Sequence, residues 1–271
     1  MLFRSLFCTA LVLGSLALPA AAQNVFVQPV SHEVITERLE LASKKNSERK
    51  NILMRLFSEA GCTNATEQPV KGSRVGNVVC SLTGRSNATI LVGAHFDKVG
   101  SLGVIDNWSG ASMLPSLYQS LIGRERNHTF VFVGFTDEEL GFRGSEQYVK
   151  QLGRDQRSLM RAMVNIDCVG MTGTKVWVQR ADKRLLGALS QVASSLKIPL
   201  EGVNIGNVGD TDSISFASRG IPVIDIHSIT QRNFERLHEG RDTVKSIQPD
   251  DYYDTYKLLS VYLGFLDISL D

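Results

Sequence analysis

The chain has 271 residues, a formal net charge of +1, and a composition 43% hydrophobic and 21% charged. That balance excludes a disordered or fibrous protein and fits one globular domain. Near-neutral charge also excludes a basic surface for nucleic acid or a polybasic anchor for anionic lipid.

Residues 1–22 stand apart from the rest. Arg4 precedes an apolar run over 6–18, and Pro19, Ala20, Ala21 and Ala22 set small residues before Gln23. This pattern predicts a cleaved secretory signal peptide, too short to span a bilayer, with an uncleaved anchor as the alternative. Residues 23–271 form one expected domain, secreted or periplasmic. They keep 28 basic and 28 acidic residues and the cysteines Cys62, Cys80 and Cys168. Export permits a disulfide. Cys62 closes a helical segment and Cys80 lies in a strand-like one, so these two are the expected pair. Cys168 is expected as a buried free thiol.

Residues 31–60 carry apolar side chains at helical spacing and predict two helices with a break near 43–47. Residues 75–82 predict a strand, paired with a second strand at 89–94 across a turn at 85–87. A helix is expected over 111–122, with Pro115 weakening its first turn. Further strands are expected at 129–135, 160–166, 175–179 and 221–226, with an edge strand or loop beginning at 198–200. Helices are expected at 144–152, 183–196 and 212–218. Pro249 opens a last helix with Tyr252, Tyr256, Leu259 and Leu263 on one face. Strands alternating with helices predict an α/β fold, a mixed and mostly parallel sheet with helices on both faces.

Polar residues collect where these strands end. His95 and Asp97 follow one, Asp137, Glu138 and Glu139 follow another, and Asp167 ends a third. Asp106 and His238 lie in loops. His95, Asp106, Glu139, Asp167 and His238 are two imidazoles and three carboxylates, a donor set suited to zinc or a similar divalent ion. Five donors exceed one tetrahedral ion and would serve two if a carboxylate bridged them. Asp97 is placed to accept the other ring proton of His95. Glu138 is left over as a general base.

The segments GAHFDKVG (93–100), IDNWSGAS (105–112), TDEELGFRGSEQYV (136–149), NIDCVG (165–170), TDSISF (211–216) with GIP (220–222), and LHEGRDT (237–243) complete the pattern. Jointly they resemble the secreted co-catalytic zinc aminopeptidases of the bacterial leucyl aminopeptidase and aminopeptidase S type. The resemblance implies a di-zinc exopeptidase acting on peptides. The chain is further expected to be a monomer, without nucleic-acid partners and, after signal removal, without a membrane partner. The resemblance gives His95 and Asp167 to one zinc, Glu139 and His238 to the other, and Asp106 to both. Glu138 becomes the acid/base, Asp97 supports it, and the Asp106–Asn107 bond is expected to be cis. Ser213 stands where the family often has His after the Asp of this segment, which leaves substrate preference open. His227, Trp108 and Asp212 are substrate-pocket candidates, weighed against structural roles for His227 and Trp108 and a helix cap for Asp212.

Three other readings share the pattern. A glutaminyl-cyclase-like amidohydrolase would use a single zinc. A carboxypeptidase or dipeptidase would bring a lid domain. A non-catalytic module would lose metal donors.

Overall fold

The computed structural model describes residues 27–204, 209–237 and 240–271. The elements in order are α1 (His32–Glu40), α2 (Asn46–Glu59), β1 (Thr66–Gln68), β2 (Asn77–Leu82), β3 (Thr89–His95), α3 (Ser109–Leu121), β4 (Thr129–Phe135), α4 (Arg143–Gln151), α5 (Arg154–Ser158), β5 (Met160–Ile166), β6 (Lys175–Trp177), α6 (Lys183–Leu196), β7 (Glu201–Val203), α7 (Ser213–Ala217), β8 (Val223–His227) and α8 (Pro249–Ser269). One eight-stranded sheet runs β1-β2-β4-β3-β5-β8-β6-β7. Its centre, β4-β3-β5-β8, is parallel throughout, and antiparallel pairs join β1, β2 and β6 to it.

The central strands are apolar on both sides because both sides are covered. Ile90, Val92, Phe130 and Phe132 face a large core shared with α1, α2, α3, α6 and α8. Leu91, Val133, Phe135 and Met163 face a thinner core that Tyr148 and Val149 of α4 and Phe216 of α7 complete. In α8, Tyr252, Tyr256, Leu259 and Leu263 are all buried, as their spacing predicts. Pro115 sits inside α3. A disulfide joins Cys62 to Cys80, and Cys168 is a buried free thiol.

One expected pairing is wrong. β2 does not pair with β3; β4 lies between them, antiparallel to β2 and parallel to β3. The 85–87 turn bonds elsewhere, with Arg85 N–H donating to Arg126 O and Ser86 N–H to Asn127 O, both at 2.9 Å. β3 is nearly all buried and takes parallel neighbours on both edges, which a hairpin would have denied it. The short β1 and α5 carry too little periodicity to be read in advance.

Four adjacent parallel strands therefore end at one side of the sheet. His95, the 136–139 turn, Asp167 and His227 come together there, although up to 132 positions separate them in sequence.

Candidate metal centre

His95 is the last residue of β3 and is buried. Its Nε2 lies 3.1 Å from Asp106 Oδ1 and 3.6 Å from Asp167 Oδ1. Its Nδ1 lies 3.4 Å from Asp97 Oδ1. Nδ1 makes no well-formed hydrogen bond to Asp97; with a cation bound, a proton kept on Nδ1 would leave the Nε2 lone pair to the ion. Asp97 also accepts from the backbone N–H groups of Glu138, at 3.1 Å, and Glu139, at 3.3 Å. One buried carboxylate thus fixes the neighbouring turn and lies beside the imidazole.

That turn is tight. Asp137 and Phe142 adopt φ of 54° and 57°, and Gly141 and Phe142 both donate to Glu138 O at 2.9 Å. Gly144 is required: a Cβ there would lie 2.3 Å from Thr136 O.

Asp106 is positioned by residues from far along the chain. Its bond to Asn107 is cis. Asp242 accepts from the Ile105 N–H at 2.5 Å and the Asp106 N–H at 3.3 Å. Asn107 donates to Ile166 O at 2.8 Å and accepts from Gly110 N–H at 2.9 Å and Cys168 N–H at 3.2 Å. Arg49 is fully buried and donates to Phe96 O, Leu102 O and Gly103 O, bracing the loop before Asp106.

Donor atoms of His95, Glu138 and Asp167 all lie within 4.8 Å of one another, and so do those of Asp106, Asp167 and Cys168. Glu139 lines the same cavity, whose volume is about 570 Å³. His238 lies outside the described residues. Burial alone would lower the His95 pKa, yet the surrounding Glu138, Asp167 and Asp106 hold it well above its ordinary value. Burial, reinforced by Asp212, Asp167 and Asp106, raises Glu138 to about 10 despite the opposing His95. Asp167 Oδ1 is buried with no well-formed hydrogen bond among the described residues. A buried group of carboxylates around one imidazole lacks positive charge, which divalent cations would supply. The donors present fit zinc.

Two pocket candidates are corrected. Trp108 is fully buried and does not line the cavity; its Nε1–H donates to Arg38 O at 3.1 Å and Arg49 lies 5.5 Å from its ring. Helix α3 begins at the next residue, and the indole is part of the large core. Asp212 also does not line the cavity, and it makes no side-chain cap to α7. It is buried near enough to act on Glu138, and burial raises its own carboxyl to about 7 against the opposing pull of His95. His227 does line the cavity.

Sequence reading missed Arg49, Asp225 and Asp242. Arg49 lies four residues before Leu53 on the buried face of α2, a charge in an apolar stripe. Asp225 interrupts an apolar strand, and accepts from Thr211, Ser213 and Asn165. Asp242 sits within the last of the quoted motifs and carried no separate signal.

The model of peptidase family M28 matches residues 77–263. The chain belongs to peptidase family M28. Leupeptin-inactivating enzyme 1 of Streptomyces exfoliatus is 29% identical over 143 residues, 52% of this chain and 32% of that protein. The chain spans about a third of the length of the curated relatives it matches. Among solved structures, the LapA aminopeptidase of Legionella pneumophila superposes with a TM-score of 0.77 at 18% identity, covering 89% of this chain and 73% of that one. BSAP, a zinc aminopeptidase from Bacillus subtilis, superposes with a TM-score of 0.63 at 20% identity, covering 70% and 49%. At these identities the structural likeness is one of fold, and this M28 chain has the α/β sheet expected from its sequence.

Proposed function

We propose that this M28 chain is an exported di-zinc aminopeptidase that releases N-terminal residues from peptides. One observation carries the reading: His95, Asp106, Glu138 and Asp167 line a single cavity at the carboxyl ends of adjacent parallel strands. His95 and Asp167 would hold one zinc, Glu139 and His238 the other, and Asp106 both. Bound there, zinc would supply Lewis acidity and balance the negative charge that develops on the scissile carbonyl.

The chain's own residues do the rest. Asp97 would keep His95 in one tautomer and holds the Glu138–Glu139 turn through two backbone hydrogen bonds. Glu138 takes the proton of the attacking water and delivers it to the leaving amine. Arg49 and Asp242 fix the loop that presents Asp106.

The deciding experiment starts from purified protein. Elemental analysis should find two zinc ions per chain. Leucine amide and unblocked peptides should be hydrolysed, N-acetylated peptides should not, and a chelator should stop the reaction. Protein without bound metal would end the reading. Cyclisation of N-terminal glutamine without hydrolysis of leucine amide would move it to the glutaminyl-cyclase-like branch. Size-exclusion chromatography should show a monomer, and the mature chain should begin at Gln23.

A further inference from the structure

Beyond β8 the cavity wall carries two donors that the proposed reaction does not use. His227 and Trp177 both line the cavity, and both are buried. Strands β6 and β8 pair antiparallel with Lys175 opposite His227, so Trp177 and His227 are diagonal neighbours on one face of the sheet. The His227 tautomer is set by the backbone. Its Nδ1 accepts from Ile229 N–H at 3.0 Å, so in the neutral ring Nε2 carries the hydrogen. Burial, with help from Lys175, lowers His227 to about 4, which keeps the ring neutral at physiological pH. The Trp177 ring is held by the Arg180 guanidinium, 3.8 Å from its centroid. Neither His227 Nε2 nor Trp177 Nε1 has a hydrogen-bond partner among the described residues.

Two buried N–H groups without protein acceptors are costly in a folded protein unless a ligand or a cavity water supplies the oxygen. Resting on the aminopeptidase reading, we infer that His227 and Trp177 form a specificity subsite for a neutral oxygen acceptor, the side-chain amide of the substrate's first residue. Position argues for the side chain over the scissile carbonyl. Asp167 ends β5, whereas Trp177 lies on β6, two strands further along the sheet, about 10 Å at ordinary strand spacing. Charge argues for an amide over a carboxylate. His227 is neutral, the Arg180 cation beside Trp177 is already paired with Asp210, and Glu235 shares the cavity wall, so an anionic side chain would find its nearest cation balanced.

The test uses the zinc-loaded chain and the p-nitroanilides of Gln, Asn, Met, Leu and Glu. The kcat/KM values for Gln and Asn should exceed those for Met and Leu by about tenfold or more, with Glu lowest. His227→Phe and Trp177→Phe should each cut the Gln and Asn values about tenfold or more and leave the Met value within about threefold. Equal losses on every substrate would overturn the inference, because they would mean a role at the scissile bond or in folding alone. Wild-type preference for Met or Leu would overturn it without any variant. If no substrate is cleaved, the aminopeptidase reading fails separately. Binding of L-glutamine against L-methionine, followed by fluorescence of Trp177, then decides the subsite, and equal affinity sinks it.

Discussion

At Glu138 the surroundings work against the charged form. Burial and nearby carboxylates raise this carboxyl to about 10, and bound cations would draw it back toward the range of a working base. Glu138→Gln keeps the shape and removes the proton acceptor. Turnover should fall by about 10²–10⁴-fold with both zinc ions still bound, measured by steady-state kinetics alongside elemental analysis. Asp106→Asn should behave differently and lose zinc together with activity, because this carboxylate would serve both ions. His227 makes a prediction about acid. Its folded pKa, about 4 against an ordinary 6.5, lies below the unfolded value because burial and Lys175 oppose its charge. The stability that follows is present above pH 6.5 and is lost as pH falls toward 4, by an amount on the order of 3 kcal/mol. Melting curves from pH 7 to 4 should therefore slope more steeply for wild type than for His227→Gln.

Each central strand delivers its last residues to one edge of the sheet, so element ends carry the chemistry and element middles hold it in place. Leu259 of α8 is fully buried against the large core. Leu259→Ala should cost about 2–5 kcal/mol in urea unfolding without changing zinc content. The Cys62–Cys80 bond ties the residues after α2 to β2 across 18 positions. Closing a loop of that length restricts the unfolded chain by about 3 kcal/mol. The Cys62→Ser, Cys80→Ser double variant should lose about that much in denaturant titration and keep its substrate preference, since neither residue lines the cavity.

Across the molecule, the carboxylates of the proposed metal centre follow β4 and β5 or lie in a separate loop, and without cations they repel one another. Bound metal would therefore act as a brace. At a free zinc concentration about a thousand times Kd, binding adds about 4 kcal/mol, so a chelator should lower Tm by about 10 °C in calorimetry. Much of this architecture was legible in the chain. The apolar runs marked the central strands, and the polar residues ending them marked the side of the sheet where His95, Glu138 and Asp167 meet. Those signals are local: burial on two faces demands continuous apolar residues, and donor side chains must interrupt them where the strand stops. Strand order was not local. Whether β2 meets β3 or β4 depends on which partner completes a fully buried edge, and no residue in the 83–88 turn records that choice. Trp108 and Asp212 show the same limit, since their place in the sequence beside site residues says nothing about which way a side chain turns. By itself the sequence determined the fold class and supplied the proposed donor set and general base, because periodicity and residue chemistry are properties of short stretches. Only the tertiary structure decided that Arg49 and Asp242 support Asp106, that Trp108 belongs to the core, and that His227 and Trp177 share a wall. Those relations join residues that meet only after the strands have been laid side by side.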